Sequence, residues 1–269
     1  MKPSYLHFFG FTLEPFGADI RVDHILQTPE VLAVCDRFEY TVRLGAIGLV
    51  TGEVGSGKST ALRFALNRLH PAEFRPLWVT AQSGSILEFY RQLASELEID
   101  TNTFSRAVLL RIIRRQIIEL ACNRKQKPVL VIDEASLLRI EVYAELHTLT
   151  QFEADSKPYL PVVLAGQNNL VDLLLYRTSV PLASRIVARF HLEAVTREDM
   201  ERYLNHHLTI AGVSQPLFAD AAITAIQQGS GGLLRRANNL ARGALMTAAH
   251  EKTHIVSADH VRIASTELV

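Results

Sequence analysis

The sequence is poor in cysteine and tryptophan and has no long hydrophobic run. Among its 269 residues, Cys35 and Cys122 are the two cysteines; they lie far apart and outside any C-x-x-C or zinc-binding spacing. We interpret both as small buried hydrophobic residues, which excludes a disulfide framework and a zinc site. No segment reaches 18 consecutive apolar residues, and the N-terminus lacks the apolar core of a secretory signal. We therefore expect a cytoplasmic protein without membrane insertion.

Net charge is also absent, because 28 basic residues balance 28 acidic ones. Global charge thus gives no support for nucleic-acid binding, which would have to depend on a local patch. One stretch departs from this balance: residues 105–127 contain seven basic residues and a single acid, Glu119.

What the sequence does contain is an alternation of apolar runs and helical patterns, which favours an α/β fold with a parallel sheet. The predicted strands are residues 46–51, 76–80, 129–132, 161–165 and 188–192. Between them we predict helices at 60–69, 85–97 and 105–123, and after Val195 only helices, at 197–211, 219–227, 233–250 and 257–266. We therefore predict two domains: residues 1–195, which carry the sheet and an N-terminal arm, and a small helical domain at 196–269.

Residues 52–59 match the phosphate-loop pattern G-x-x-x-x-G-K-[ST] and join a predicted strand to a predicted helix. Glycines are required because consecutive backbone N–H groups curl around the β-phosphate, where a Cβ would block them. Lys58 is expected at the β- and γ-phosphates, and the Ser59 hydroxyl is expected to ligate Mg²⁺. The helix beginning here also favours an anion. The nucleotide-binding residues predicted on this basis are Gly52, Glu53, Val54, Gly55, Ser56, Gly57, Lys58, Ser59 and Thr60.

A second motif is the apolar run 129–132, which ends in Asp133 and Glu134. A buried parallel strand delivers such carboxylates to its C-terminal edge, where ligands of open α/β sheets bind. Asp133 is expected to hold Mg²⁺, and Glu134 to orient and deprotonate the attacking water. Taken alone, two acids after an apolar run also fit an ordinary strand end at the surface. Together with the phosphate loop they predict an ATPase.

The order of these landmarks resembles a known family. In chain order, these landmarks are an aromatic N-terminal arm, the phosphate loop, the Asp133-Glu134 strand, Leu164-Ala165-Gly166-Gln167, Ser184-Arg185-Ile186 and Gly231-Gly232-Leu233-Leu234-Arg235-Arg236. This series is similar to the AAA+ ATPases of the general secretion pathway protein A (ExeA-like) family. The resemblance covers nearly the whole chain and implies an AAA+ type, five-stranded parallel sheet flanked by helices, with a helical lid.

The resemblance also implies roles for polar residues outside the two motifs. Gln167, with Asn168 as the fallback, matches the sensor-1 position, although both also fit a turn that caps a strand. Arg235, beside Arg236, matches the sensor-2 arginine; a solvated helix end is the alternative, although an arginine there opposes the helix dipole.

AAA+ proteins complete each site with an arginine from the next subunit. By resemblance Arg185 is the candidate and Arg189 the second, with an ordinary surface arginine as the alternative. The stretch 15–20 would lie beside the adenine. For Phe8, Phe9 and Phe11, attachment of the arm to the core is the simpler interpretation.

The resemblance leaves several functions open. Secretion-pathway members continue into a membrane anchor and a peptidoglycan-binding region, whereas this sequence ends at Val269. Short relatives are similar to transposon helper ATPases of the TnsC, TniB and IstB types, which form rings or filaments on duplex DNA with ATP and recruit a transposase. That is our leading hypothesis. The alternatives are an ATPase module of a secretion or envelope system without a DNA role, and a slow ATP-dependent switch for an unknown protein contact.

One basic stripe supports the DNA hypothesis independently. Arg111, Arg114 and Arg115 fall at spacings of three and four on a predicted helix, whose opposite face is apolar. Repeated around a homo-oligomeric ring, this stripe would follow the phosphates of double-stranded DNA without reading bases. A solvated helix face is the alternative.

Overall fold

The computed structural model describes residues 4–267 and contains a five-stranded parallel sheet, as predicted. The spatial order is β2-β3-β4-β1-β5. The strands are β1 (Ile47–Gly52), β2 (Phe74–Thr80), β3 (Lys127–Asp133), β4 (Val162–Gly166) and β5 (Ile186–Leu192). Every residue of β1 and β4, and all of β3 except Lys127, is buried, whereas the edge strand β5 alternates in exposure. The continuous apolar runs in the sequence therefore mark the inner strands.

Helices surround the strands and make up the C-terminal part of the described chain. They are α1 (Ser4–Phe9), α2 (Pro29–Leu44), α3 (Lys58–Asn67), α4 (Ile86–Glu96), α5 (Arg106–Ile118), α6 (Ile140–Leu149), α7 (Asn169–Leu175), α8 (Val180–Ala183), α9 (Arg197–Ile210), α10 (Asp220–Ser230), α11 (Leu234–His250) and α12 (Ala258–Glu267). Local signals explain several starts: Ser85 forms a capping box with Glu88, and Thr196 caps α9 through the Asp199 N–H. We did not predict α1, α2, α6, α7 or α8.

The chain divides into two compact units. The larger comprises residues 28–52 and 58–192 and contains the whole sheet. Its core joins strand residues such as Leu130 and Ile132 to one face of α4, α5 and α6, represented by Tyr90, Ile113 and Tyr143. α5 ends earlier than predicted, at Ile118, and continues as a π-helical turn, Glu119–Asn123. In this turn Cys122 is exposed, which corrects the prediction of two buried thiols; Cys35 is buried.

The smaller unit contains the four C-terminal helices, but it also contains the N-terminal arm up to Gln27 and the loop residues 53–57. This corrects the predicted boundaries, which assigned the arm and that loop to the sheet domain. The physical reason is aromatic packing: Phe9, Phe11 and Phe16 belong to the core formed by α9–α12. Phe8 stacks on His254 with ring centroids 4.4 Å apart. The arm thus enlarges a helical core that would otherwise be very small.

Within the described range 4–267, no helix is long and apolar enough to cross a membrane.

Candidate functional site

The two polar motifs of the sheet emerge at the same edge. β3 and β4 pair in parallel with Ile132 opposite Leu164, so Asp133 and Gln167 follow at neighbouring strand ends. β4 also pairs with β1, with Gly166 opposite Thr51. The end of β1 and the start of α3, where Lys58 lies, are therefore at this edge as well. The topology brings together the predicted phosphate-binding, metal-binding, catalytic and sensor-1 residues of the larger unit.

Lys58 is the first residue of α3, and its long side chain is almost completely buried, with 5% of its surface exposed. Its Nζ donates a hydrogen bond to the Gly52 carbonyl, 2.9 Å away. A phosphate oxygen can also accept from a lysine ammonium, and such charge-assisted hydrogen bonds are strong. Ser59 and Thr60, in the same first turn, are partly exposed.

In the smaller unit, the loop residues 53–57 contact the first turn of α11. Gly55 has φ +86°, and a Cβ added to it would come within 2.8 Å of Arg235 Cβ. The Arg235 N–H donates to the Gly55 carbonyl over 3.2 Å. Glycine is therefore required at position 55 for its conformation and for the close approach of this helix. The predicted sensor-2 arginine is the second residue of α11 and contacts the loop residues 53–57 at Gly55.

Asp133 is buried, and its Oδ1 accepts a hydrogen bond from the Glu134 N–H over 2.9 Å. Glu134 has φ 53° and ψ 33°, a left-handed conformation that is uncommon for glutamate, and its side chain is partly exposed. One carboxylate is thus tied to the backbone and the next is directed by an unusual turn. Sequence patterns do not predict such a turn.

The donor set suits Mg²⁺, because the Ser59 hydroxyl and the Asp133 carboxylate are hard oxygen ligands. The phosphate loop itself contains a buried polar group without a protein partner, since Ser56 Oγ makes no hydrogen bond within the described chain. Buried polar groups are normally satisfied, so an unpaired one inside a phosphate loop fits a bound nucleotide. The residues present therefore fit both a Mg²⁺ ion and a nucleotide.

Three residues around Glu134 were missed by the sequence analysis. Ser136 Oγ accepts a hydrogen bond from the Gln167 N–H over 3.4 Å. A Cβ at Gly166 would lie 3.0 Å from the Ser136 nitrogen, so this glycine permits the close contact. Tyr143 is completely buried and donates its hydroxyl to the Ala135 carbonyl over 2.6 Å. Gly166 lies in a segment that the resemblance already marked, whereas Ser136 and Tyr143 gave no sequence signal.

Arg185 lies at the opposite end of the strands, directly before β5 begins. Its carbonyl accepts from the Ile47 N–H at the start of β1, and its guanidinium pairs with both carboxylate oxygens of Asp155, one at 2.7 Å. The pair lowers the pKa of Asp155. β5 is seven residues long, so the two ends of the strands are about 20 Å apart. Arg185 is thus far from Glu134 of its own chain. The second candidate, Arg189, is exposed within β5.

Of the three arginines predicted to form a basic stripe on α5, only two are exposed. Arg111 and Arg115 are exposed, but Arg114 is half-buried and its guanidinium donates to the carbonyls of Thr148, Leu149 and Gln151. It also lies over the Phe152 ring, 4.5 Å from the centroid. Burial lowers the pKa of Arg114. This corrects the assignment of Arg114 to a phosphate-binding surface, because two of its guanidinium nitrogens donate to backbone carbonyls at the end of α6 and just after it.

Comparison with known proteins agrees with this architecture. Residues 42–174 match the family model of the AAA domain. General secretion pathway protein A of Aeromonas hydrophila is 28% identical over 265 residues, which is 98% of this chain and 48% of that protein. The chain therefore spans about half the length of the curated relative it matches.

Solved structures share the fold at low sequence identity. Cdc6p from Pyrobaculum aerophilum superposes with a TM-score of 0.75 and 17% identity, covering 94% of this chain and 70% of that one. Aeropyrum pernix ORC2, solved as ADPNP–ADP complexes, gives 0.69 and 16%, covering 97% and 71%. Aeropyrum pernix ORC1 in complex with DNA gives 0.71 and 16%, covering 93% and 68%. The chain has the AAA+ P-loop NTPase fold, and it is similar to general secretion pathway protein A over nearly its whole length.

Proposed function

We propose that this protein binds ATP with Mg²⁺, hydrolyses it, and uses the cycle to act on DNA as a transposition helper. The observation that carries the catalytic part is the convergence of Lys58, Asp133, Glu134 and Gln167 at one edge of the sheet. ORC2 of A. pernix, which shares the fold, was solved with ADPNP and ADP, and this supports an adenine nucleotide as the ligand.

Each residue has a distinct role in the proposed reaction. The loop from Gly52 to Thr60, which includes Lys58, binds the phosphates. Ser59 and Asp133 hold the metal ion, which would neutralise charge on the phosphates when bound. Glu134 accepts a proton from the attacking water, whose oxygen forms a bond to the γ-phosphorus as the bond to the ADP oxygen breaks. Gln167 orients the water or the γ-phosphate. Arg235, in the first turn of α11, is proposed to contact the phosphates that the loop residues 53–57 bind, because its N–H donates to the Gly55 carbonyl within the smaller unit.

Two substitutions separate binding from chemistry. Lys58→Ala is expected to lose affinity for ATP, because the buried cation at the phosphates is removed. Glu134→Gln is expected to bind ATP normally but to turn it over at least ~100-fold more slowly, the scale of losing a positioned base. Nucleotide affinity is measured by fluorescence titration and turnover by phosphate release. Normal turnover in Glu134→Gln contradicts the assignment.

The DNA part of the proposal rests on two observations. Arg111 and Arg115 form an exposed basic pair on α5, with Arg124 and Lys125 exposed on the following turn. ORC1 of A. pernix, with the same fold, was solved in complex with DNA. We infer that ATP drives assembly of a homo-oligomeric ring or filament, in which this pair repeats along the sugar–phosphate backbone. Many weak contacts then act together, which gives ATP-dependent and sequence-tolerant binding to duplex DNA. The assembly recruits or regulates a transposase.

The test is an anisotropy titration of labelled duplexes at low and physiological salt, with and without a slowly hydrolysed ATP analogue. We expect binding only with the analogue, little difference between duplex sequences, and a steep loss of affinity with salt. Lys58→Ala serves as the control, because it should not bind DNA even with the analogue. No binding at low salt, or equal binding without nucleotide, contradicts the helper function.

The second candidate is an ATPase module of a secretion or envelope-assembly system that has no DNA role. The similarity to general secretion pathway protein A favours it. The same titration separates the two candidates, because this module would hydrolyse ATP but show no nucleotide-dependent DNA binding. Neighbouring genes give a second criterion: a transposase gene favours the helper, and secretion genes favour the module.

A further inference from the structure

The turn that carries Glu134 is held from outside its own segment. A non-glycine residue in the left-handed region costs about 1–2 kcal/mol, so it persists only where the surroundings stabilise it. Two local contacts help: the Glu134 N–H binds Asp133 Oδ1, and the Leu137 N–H donates to the Glu134 carbonyl over 2.8 Å. Both partners belong to the same short segment, so neither fixes the turn relative to the rest of the unit.

Tyr143 supplies such an anchor. The Ala135 carbonyl, which immediately follows Glu134, accepts one hydrogen bond from the Leu138 N–H at 3.0 Å and a second, shorter one from Tyr143 Oη at 2.6 Å. Tyr143 lies on α6 with 0% of its surface exposed, among residues of the main core. Burial raises the pKa of its hydroxyl, which therefore remains a donor at every physiological pH. The tyrosine thus joins the Glu134 turn to a rigid helix.

A second anchor acts on the opposite side of the same turn. Ser136 Oγ accepts from the Gln167 N–H, and Gly166 leaves room for this approach. Ser136 therefore connects the turn to the end of β4. Rotation of Ala135 and Ser136 would break a contact to α6 or to the end of β4, so the backbone that follows Glu134 is restrained from both.

We propose that the Tyr143 hydroxyl is a positioning residue for Glu134, with Ser136 as its counterpart on the β4 side. Tyr143 is completely buried in the core of the larger unit, and no chemical step is assigned to it. It acts by keeping the Ala135 peptide in place, and with it the carboxylate that accepts a proton from water. The inference rests on the proposed role of Glu134, and it adds a group for which no motif exists.

The test is Tyr143→Phe, which removes one oxygen and keeps the ring in the core. We expect kcat to fall roughly tenfold, since small displacements of a catalytic group have effects of this size or larger. Affinity for a slowly hydrolysed ATP analogue should stay within twofold, which separates this role from that of Lys58. Hydrolysis is measured on the full chain.

Tyr90→Phe is the matched control. Tyr90 is also completely buried in the same core, and its hydroxyl donates to Glu145 Oε2 over 2.6 Å. Both variants lose one buried hydrogen bond and are expected to have a lower Tm, but only Tyr143→Phe should lose kcat. Equal losses of kcat in the two variants would mean that the effect is general loosening of the core, and would overturn the proposal.

Ser136→Ala provides a second route if Tyr143→Phe does not fold, because Ser136 is only partly buried. It should lower kcat in the same selective way. Wild-type kcat in the folded variants overturns the positioning role while Glu134→Gln remains inactive. If Glu134→Gln itself is fully active, the proposed function fails first, so the two failures are distinguishable.

Discussion

The sheet edge proposed as the catalytic site and the basic face of α5 both carry charged side chains, but these side chains differ in burial and in their partners. At the edge, Asp133 and Lys58 are buried and each has a defined hydrogen-bond partner. On α5, Arg111 and Arg115 are exposed to solvent. Burial with fixed partners indicates a site that acts through geometry. Exposure is typical of a surface that acts through its charge and through many weak contacts.

Arg114 lies between these two cases and shows how residue type alone can mislead. It has the same helical spacing as its neighbours, yet its guanidinium binds three backbone carbonyls at the end of α6 and stacks on Phe152. An arginine at a helical surface position is as suitable for capping a neighbouring helix as for binding phosphate. Here the carbonyls of Thr148, Leu149 and Gln151, which are remote from Arg114 in the sequence, determine that it caps α6.

Arg185 would sharpen the comparison most, because its guanidinium pairs with Asp155 although it lies at the opposite end of the strands from the proposed catalytic groups. If it completes the site of a neighbouring subunit, Arg185→Ala should lower kcat by roughly a thousandfold with ATP binding intact. Mixing it with inactive Lys58→Ala protein should restore some activity, because a mixed interface pairs an intact Lys58 with an intact Arg185.

Arg189→Ala is the control for that experiment, since Arg189 is an exposed arginine on the strand that follows Arg185. We expect its turnover to stay within a factor of two. Loss of activity in Arg189→Ala with full activity in Arg185→Ala would exchange the two roles. Full activity of a strictly monomeric protein, at every concentration and with nucleotide present, would rule out a shared site.

The rigidity of the catalytic edge can be broken at Gly166. A Cβ there would lie 2.9 Å from Leu170 Cδ2 and 3.0 Å from the Ser136 nitrogen, so Gly166→Ala has to shift the turn that carries Glu134. We expect kcat to fall roughly tenfold and analogue affinity to change little, because the phosphate loop is not displaced. Gly229→Ala is the control: a Cβ there meets its nearest atom, Leu240 Cδ1, at 3.2 Å, and this helix position is distant in sequence from either motif. Unchanged kcat in Gly166→Ala would show that the edge tolerates displacement.

Much of the fold could be predicted because its signals are local. The inner strands are continuous apolar runs, and the Ser85 and Thr196 caps are readable from neighbouring residues. Thr28 also caps α2 with Pro29 at the first position, so a Thr-Pro-Glu signal for that helix was available and was overlooked. The attachment of the arm to the helical unit was not predictable, because it depends on Phe9 and Phe16 packing against residues that are remote in the sequence, such as His207 beside Phe16.

The same division applies to the candidate site. The phosphate loop and Asp133-Glu134 are contiguous motifs, and parallel pairing of β3, β4 and β1 brings them to one edge. The turn that carries Glu134 is held by one hydrogen bond that Tyr143 donates to the Ala135 carbonyl and by one that Ser136 Oγ accepts from the Gln167 N–H, and any tyrosine or serine can make such bonds. Their importance derives from the tertiary structure, so a sequence pattern cannot indicate it.

The unequal roles of the α5 arginines predict unequal effects on stability. Arg114→Gln should lower the free energy of unfolding by about 2 kcal/mol, because the hydrogen bonds from a charged donor to partly buried carbonyls disappear. Arg111→Gln should change it by less than ~0.5 kcal/mol, as exposed substitutions usually do. Urea denaturation of the two variants measures the difference. Equal stability would mean that Arg114 is free to act with its neighbours.

The smallest expected effect comes from removing charge on the exposed face of α5. Arg111→Gln combined with Arg115→Gln should leave folding and ATPase activity unaltered, because both side chains are exposed. In the presence of the ATP analogue, DNA affinity should fall, and the log–log salt slope should decrease by about one unit for every phosphate that a protomer no longer neutralises. Arg114 has to be kept in this experiment, since its removal would weaken the fold and imitate a loss of binding. A matched pair of exposed arginines on the helical unit, Arg236 and Arg262, provides the control for total charge. If the two double variants lose affinity equally, the effect is one of net charge. If neither loses it, DNA binds elsewhere on the protein, and the next surface to change is the loop at residues 82–85, which joins β2 to α4 and exposes Gln82 and Ser83.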